Sequence, residues 1–255
     1  DDKYFASASY RRDASSRFAK ENRWGNFWSI GGAWLINKEA WFEAPFVDEL
    51  KVKASLGQQG NDNIGDWAYT DLYTLSKASN TLMSPTFWRV GNKDITWETT
   101  TNLNLGVEFS LFKHRLSGSF DFYTKKVADL VFWLSIPESQ GSRGYYTNIG
   151  DMRNTGIEMV LTGVLVSTKD IDWSVTVNMS HNATKVLKLP ALKTEQYGGF
   201  NASNDSKTFG YWYREGGPMY NAYLPSYAGV NENGEALYWV DEKIDGNATT
   251  TGVQP

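Results

Sequence analysis

The chain has 255 residues, of which 41% are hydrophobic and 21% charged, a balance typical of folded rather than disordered proteins. Its net charge of -4 argues against nucleic-acid binding, which usually requires a basic surface. Cysteine is absent and histidine occurs only twice, so the composition excludes disulfide bonds and metal centres rich in Cys or His.

Apolar and polar residues alternate with a period of two in several parts of the chain. Successive side chains of a strand point to opposite faces, so this period predicts strands with one apolar and one polar face. In the clearest case Leu103 and Leu105 alternate with Asn104 and Gly106. In chain order the alternating stretches are residues 4–10, 28–36, 50–56, 102–111, 115–122, 157–161 and 173–180.

The connections between these stretches are alternately long and short. Long connections are expected at residues 11–23, 58–97 and 135–154 and after Leu189, and shorter ones at 37–49, 112–115 and 167–172, with a helical turn at 38–42. Bacterial outer-membrane barrels have long extracellular loops and short periplasmic turns. A ten-residue strand tilted by about 45° rises roughly 24 Å, which matches their apolar band of about 25 Å.

We therefore predict an all-β chain that forms about seven or eight strands of an antiparallel transmembrane β-barrel. A soluble β-sandwich remains the alternative, because its buried faces are also free of charge. The barrel prediction requires one set of side chains to point outward to lipid: Leu105, Val107, Phe109, Val175 and Val177. A second set of polar side chains is expected to face the lumen: Lys51, Lys53, Asn104, Glu108, Asp121, Glu158 and Asn178.

Aromatic residues are abundant, with 11 Trp, 14 Tyr and 13 Phe. They would suit a barrel's aromatic girdles, a sandwich core or a sugar-binding surface. Aromatic faces stack on sugar rings and also contact peptides, so those in the long connections are the ligand candidates. These candidates are Trp67, Tyr69, Tyr73, Trp88, Tyr145, Tyr146, Tyr211, Trp212 and Tyr213. Packing within the loops, or contact with a lid protein, is the other interpretation of each.

Sequence patterns for catalysis, phosphate binding or metal binding are weak. The glycine pairs lack the Lys-Ser or Lys-Thr that follows in a phosphate loop. A calcium site at residues 61–66 is a minor alternative, and residues 231–235 fit a hairpin turn better than a calcium loop. The carboxylates Glu108, Asp121 and Glu158 suit a wetted wall as well as a glycosidase. We expect no catalytic residues, metal or cofactor.

Six motifs follow one another in a set order. YRRDASSRF at residues 10–18 precedes RWGNFWSIGGAW at 23–34 and LKVKASLG with GNDNIG between 50 and 65. WETTTN at 97–102, NIG with NTGIE between 148 and 158, and AGV with GEALY between 228 and 238 complete the set. Together they resemble the SusC-like branch of the TonB-dependent outer-membrane transporters. Ala14 and Trp28 depart from that family's usual Gly and Pro.

The resemblance implies that residues 1–255 are part of the C-terminal half of a 22-stranded barrel whose plug and TonB box lie outside this chain. It also implies import of glycan or peptide oligomers across the outer membrane of a Gram-negative, Bacteroidetes-like bacterium. The expected partners are a SusD-like surface lipoprotein that acts as a lid, the TonB–ExbB–ExbD complex, the cargo and outer-membrane lipid. A soluble β-sandwich that binds carbohydrate is the alternative function, and a polysaccharide-degrading enzyme is a third.

Overall fold

The computed structural model describes residues 2–77, 82–136, 139, 141–142, 144–190, 199–201, 210–223, 226–240 and 252–254. The chain forms two compact units, Asp1–Ala191 and Leu192–Pro255. Among the described residues, no helix has the length and apolar character needed to cross a membrane.

The first unit is built on one antiparallel sheet of seven strands. In sheet order these are β1 (Tyr4–Ala14), β2 (Trp24–Leu35), β3 (Val47–Asn61), β6 (Glu98–Leu111), β7 (Leu116–Ser135), β8 (Gly144–Ser167) and β9 (Asp172–Lys188). The strands β4 (Leu72–Lys77) and β5 (Met83–Arg89) form a separate hairpin inside the β3–β6 connection. Each of the seven strands pairs with its neighbour in chain order, as in an up-and-down barrel wall.

The strands are long, and β7 and β8 continue past a bulge between Val127 and Leu130. The seven strands run from 11 residues in β1 to 24 in β8, whereas strands of soluble proteins average about 5 to 6. The register aligns Leu105 with Ala54 and Phe122, so apolar side chains of neighbouring strands share one face. On that face Leu105 is 44% exposed and Val177 46% exposed. An apolar face left open in this way is what the barrel prediction requires.

The connections fall at two ends of the sheet. At the short-loop end, residues 36–46, 112–115 and 168–171 join β2 to β3, β6 to β7 and β8 to β9. At the long-loop end, residues 15–23, 62–97 and 136–143 join the other neighbouring strands. The predicted alternation in length is only partly present, because the connection at 36–46 has 11 residues, whereas those at 15–23 and 136–143 have nine and eight.

Three local predictions are corrected by the structure. Most of the loop expected at residues 135–154 is strand, because β7 and β8 continue to pair up to Ser135 and Gly144. The long connection at 58–97 contains β4 and β5. The helical turn expected at 38–42 is a 3₁₀ turn at Ile36–Lys38.

The β6–β7 turn has an uncommon backbone conformation. Phe112, Lys113 and His114 all have positive φ, between 59° and 62°. The turn is held against the start of β3 and the residue before it, because the His114 amide donates to Asp48 Oδ2 at 2.8 Å and Phe112 stacks on Phe46 with ring centres 5.9 Å apart. His114 is exposed, as expected for a residue of a tight turn.

The second unit contains two small antiparallel sheets. One consists of β10 (Phe200–Asn201), β11 (Gly210–Tyr213) and β12 (Ala222–Tyr223), and the other of β13 (Ser226–Val230), β14 (Ala236–Val240) and β15 (Gly252–Gln254). The β13–β14 turn is closed by Asn231, whose Oδ1 accepts from the amides of Asn233 and Glu235. The hairpin predicted there is present.

Candidate functional site

The polar face of the seven-stranded sheet carries all seven residues that were predicted to face a lumen. The register places Lys53, Gly106, Asp121 and Glu158 side by side on β3, β6, β7 and β8. The remaining members follow at even spacings on the same face. They are Lys51, Asn104, Glu108 and Asn178.

Four charged side chains of this face form a continuous network. Glu108 accepts from Lys51 Nζ at 3.0 Å and from Lys53 Nζ at 2.8 Å. Lys53 Nζ also lies 3.0 Å from Asp121 Oδ1. Glu108 of β6 pairs with two lysines of the adjacent β3, and Lys53 reaches across Gly106 of β6 to Asp121 of β7. The network therefore connects β3, β6 and β7 and presents both signs of charge on this face.

Glu158 and Asn178 extend this polar face beyond the network. Glu158 lies directly across from Asp121, and Asn178 lies across from Val160, two residues along from Glu158. Glu158 forms no ion pair with any described residue. The assignment of the whole face to a lumen remains a prediction.

A hydrophobic core sits at the long-loop end. Phe18 and Ile95 are fully buried there, and Trp97 lies between Phe18 and Phe27 with ring centres 5.3 Å from each. Ile64 and Ala68 complete the core. Most of these residues come from the family motifs, so the motifs join two connections and β2 into one packed unit.

Polar motif residues fix the same end. Asn148 pairs with both backbone groups of Thr96: its Oδ1 accepts from the Thr96 amide and its Nδ2 donates to the Thr96 carbonyl, each at 2.9 Å. Glu98 accepts from the Val131 amide at 2.8 Å and from Asn61 at 2.6 Å. These side chains replace the ladder hydrogen bonds that end with the strands.

The segment considered for calcium is occupied by hydrogen bonds within the protein. Asp62 Oδ2 accepts from Ser15 Oγ at 2.7 Å, and Asp66 Oδ1 accepts from Arg17 Nε at 3.2 Å. Arg17 also donates to the Asp62 carbonyl at 3.0 Å. Within the described residues, no group of three or more His, Asp or Glu side chains is placed to hold a metal ion.

Three of the six ligand candidates of the first unit, Trp88, Tyr73 and Tyr146, lie in or beside an aromatic cleft at the long-loop end. The cleft has a volume of about 480 Å³. Its lining includes Phe87, Trp88 and Trp133. Tyr73 packs against Phe87, and Tyr146 packs against Trp133, with ring centres 5.2 Å and 5.1 Å apart.

Sequence reasoning identified Trp88, Tyr73 and Tyr146 but missed Phe87 and Trp133. Trp133 lies on β7, outside the predicted long connections, whereas Phe87 lies inside the predicted connection 58–97, next to Trp88. Their signal is weak but present: each stands in or beside an aromatic pair, Phe87 with Trp88 and Phe132 with Trp133.

Arg89 lies beneath Trp88 and is 6% exposed. Its Cζ is 5.1 Å from the Trp88 ring centre and 5.3 Å from that of Tyr146, and its Nη2 donates to the Asp66 carbonyl at 3.2 Å. Cation–π contacts of this kind fix the orientation of both rings. Arg89 is thus a positioning residue for the cleft, and sequence reasoning missed it.

The remaining candidates of the first unit have separate surroundings. Trp67 is exposed and lies 6.3 Å from the ring of Tyr69, which packs against the hydrophobic core. Tyr145 is half-buried and pairs with Leu134 in the β7–β8 ladder. Of these three, only Trp67 presents most of its side chain to a ligand.

In the second unit Tyr211, Trp212 and Tyr213 lie on β11. The ring of Tyr211 meets that of Tyr220 edge to face at 5.4 Å. Burial raises the pKa of Tyr213, with a further contribution from Tyr220 and Tyr211 nearby. Tyr220 is an exposed aromatic residue that the sequence analysis did not single out.

Comparison with known proteins agrees with this geometry. A family model of the TonB-dependent receptor-like β-barrel matches residues 1–252. The TonB-dependent receptor P39 of Formosa agariphila is 35% identical over 199 residues, which cover 78% of this chain and 19% of the relative. The TonB-dependent receptor SusC of Bacteroides thetaiotaomicron is 31% identical over 204 residues, which cover 76% of this chain and 20% of the relative.

Solved structures match over the entire chain. The RagAB peptide importer in its closed-closed state superposes with a TM-score of 0.82 at 26% identity, covering 100% of this chain and 27% of that one. A second RagAB peptide transporter structure gives 0.82 at 28% identity, covering 96% of this chain and 26% of that one. The chain therefore spans about a fifth of the curated relatives and about a quarter of the solved chains. The chain belongs to the TonB-dependent receptor family of outer-membrane transporters, and its seven-stranded sheet is part of a barrel of that family.

Proposed function

We propose that this chain forms part of the wall and outer loops of a TonB-dependent importer of glycan or peptide oligomers in the outer membrane of a Bacteroidetes-like bacterium. The observation that carries the proposal is the contrast between the two faces of the seven-stranded sheet. One face exposes apolar side chains such as Leu105 and Val177, and the other carries the Lys53–Glu108–Asp121 network. Apolar side chains are stable in contact with lipid, and charged side chains are stable in contact with the water of a lumen.

The aromatic cleft supports an oligomer as cargo. Phe87, Trp88 and Trp133 offer ring faces at the long-loop end, which is the extracellular end of a bacterial barrel. Ring faces stack on sugars and on peptide side chains alike. The structural neighbour RagAB is a peptide importer, which supports a peptide as one of the two proposed cargo classes.

The proposed partners follow from the family. A SusD-like lipoprotein would cover the long-loop end, and TonB–ExbB–ExbD would act through the plug and TonB box of the longer protein. Nucleic acid is not a proposed partner. No catalytic step is proposed either, because Glu108 and Asp121 are paired with lysines that hold the wall together.

The proposal is tested by affinity purification of the full-length protein from membranes, with mass spectrometry of the lipoprotein and cargo that co-purify. We expect a membrane-embedded complex that contains a SusD-like lipoprotein and either a glycan or a peptide. The double variant Trp88→Ala/Trp133→Ala should retain the lipoprotein and lose most of the cargo.

Trp41→Ala is the matched control, because Trp41 is an exposed tryptophan at the opposite, short-loop end. It should retain cargo as the unaltered protein does. Recovery of the full-length protein in the soluble fraction would contradict the proposal for the wall. Equal cargo loss in both variants would contradict the role of the cleft.

A further inference from the structure

Three basic side chains stand side by side on β7, β8 and β9, ten residues along β7 from its short-loop end. Lys126 of β7 lies directly across from Arg153 of β8, and Arg153 lies directly across from Lys185 of β9. Between these residues and the short-loop end, the β6–β7 and β7–β8 pairs keep one register. The β8–β9 pair shifts its register once there, between Val164 and Val166. We call Lys126, Arg153 and Lys185 the cationic row.

The cationic row lies on the apolar face, not on the polar one. Every second residue of a strand points to the same face, so Lys126 shares its face with Thr124, Phe122 and Phe120. On β8, Arg153 likewise shares its face with Thr155 and Ile157. Thr124 and Thr155 are neighbours whose hydroxyls lie 3.2 Å apart, which confirms that the two strands are in step here. Each apolar segment thus ends in a cation.

The cationic row stands where the apolar band of a barrel ends. Lys126 is ten residues from Leu116, the first residue of β7 at the short-loop end. Ten residues span about 34 Å of strand and rise about 24 Å at a tilt of about 45°. That rise equals the height of the apolar band, so the cations lie at the depth of the outer lipid headgroups.

Aromatic residues mark the same boundary on β1 and β2. Tyr10 pairs with Trp28 on the apolar face, and both rings are exposed. Beyond them Trp24 is also exposed, and Arg12 Cζ lies 4.7 Å from its ring centre. Exposed Trp and Tyr in this arrangement are typical of a membrane interface. The register row that contains Lys126 is therefore aromatic on two strands and cationic on three.

The charge of the cationic row is largely uncompensated. Lys126 Nζ lies 3.4 Å from Asp151 Oδ2, while half of the Lys126 side chain stays exposed. Arg153 and Lys185 are exposed, and neither forms an ion pair with a described residue. Three cations and one carboxylate leave an excess of positive charge against the membrane surface.

We propose that the cationic row binds the phosphate groups of a phosphorylated lipid headgroup in the outer leaflet. This proposal rests on the proposed function, because it requires the apolar face to contact lipid. Neighbouring strands are about 4.8 Å apart, so the row is about 10 Å wide. Tilted strands raise the row by about 3 Å per strand, which spreads the cations over the depth of one headgroup. Lysine and arginine supply the point charges and the two-pronged donor that phosphate oxygens accept.

The test uses the full-length protein in neutral detergent, with diphosphorylated lipid A as the probe and native mass spectrometry as the readout. We expect the triple variant Lys126→Gln/Arg153→Gln/Lys185→Gln to bind this lipid at least tenfold more weakly than the unaltered protein. Lipid A without its phosphates should bind the unaltered protein as weakly as the intact lipid binds the triple variant. Higher salt should reduce the difference.

Lys125→Gln is the matched control, because Lys125 is an exposed lysine next to Lys126 that points to the opposite face. It should bind the lipid as the unaltered protein does. Undiminished binding by the triple variant, equal loss in Lys125→Gln, or equal binding of the phosphate-free lipid would each overturn the proposal. Absence of the full-length protein from the outer-membrane fraction would instead overturn the proposed function, so the two failures are distinguishable.

Discussion

Val107 lies in the middle of β6, on the apolar face between Val52 and Phe120. Val107→Arg would place a charge against lipid near the midplane, where it costs about 2–4 kcal/mol. We expect a lower yield of folded, heat-modifiable full-length protein in the outer membrane. Asn104→Arg changes the other face of the same strand and should leave the yield close to normal. Equal yields of the two variants would argue against lipid contact at Val107.

Gly60 leaves space for an aromatic ring. A Cβ at this position would meet the Cζ of Phe27 at 2.0 Å, so the ring lies almost on the backbone of β3. Gly60→Ala should therefore push Phe27 away from Trp97 and lower the free energy of unfolding by about 1–3 kcal/mol. This change in the free energy of unfolding is measured by urea unfolding of the full-length protein in lipid.

The control for Gly60 is Gly163→Ala on β8, where a Cβ would meet nothing within 4 Å. It should change the free energy of unfolding by less than about 0.5 kcal/mol. The interpretation of Phe27 fails if the two glycine variants are equally stable.

At the residue scale the sequence predicted which side chains share a face but not which ones form the core. Lys53, Glu108 and Asp121 share a face because strand periodicity alone decides it. Phe18 and Ile95 are 77 positions apart and lie in connections, where no period applies. Only the assembled sheet brings these two together, so the sequence could not reveal their contact.

The β6–β7 turn is the element with the most strained backbone. Lys113 has a φ of 60°, a left-handed conformation that costs an L-residue about 1 kcal/mol or more. Asn adopts this conformation more readily than Lys. Lys113→Asn should therefore raise the free energy of unfolding of the full-length protein by about 0.5–1 kcal/mol. Lys169→Asn, in a short turn without positive φ, should have little effect, and a larger gain there would contradict the explanation.

A single carboxylate organises the β2–β3 connection at the short-loop end. Hydrogen bonds from Tyr4 and Trp34, together with Lys3, lower the pKa of Glu39 below its usual value. A lowered pKa means that the folded state favours the ionised form, so this stabilisation is present above the usual pKa and is lost as the pH falls through the lowered one.

Acidification below about pH 4.5 should therefore destabilise the protein through this connection. The urea midpoint of the unaltered full-length protein should fall further between pH 6 and pH 3.5 than that of Glu39→Gln, which has no carboxylate to protonate. Identical pH profiles of the two proteins would show that Glu39 contributes nothing to the pH dependence.

Elements with clean alternation were predicted, and elements without it were not. Residues 127–135 lack a period of two, because a bulge between Val127 and Leu130 interrupts the register and Asp129 takes a φ of 59°. The extension of β7 and β8 past this bulge therefore appears in the structure but not in the pattern. The same is true of β4 and β5, which lie in a connection and outside the main sheet.

For the whole molecule, the two faces of the seven-stranded sheet decide between a membrane wall and a soluble sheet. The long strands, the open apolar face and the family match over residues 1–252 all favour the wall. The chain covers about a fifth of its relatives' length, so cargo, lid and energy coupling are proposals. The sequence could predict this architecture because the side chains of a barrel strand alternate between lipid and lumen, which places an apolar residue at every second position.

The most direct test is spin labelling of single cysteines, one residue at a time, from Leu103 to Phe109 in the full-length protein reconstituted in lipid. This chain contains no native cysteine that would compete for the label. We predict that labels at 103, 105, 107 and 109 collide with oxygen dissolved in the bilayer. Labels at 104, 106 and 108 should be shielded from it. Uniform oxygen accessibility along β6, or the opposite alternation, would contradict the assignment of this sheet to a membrane wall.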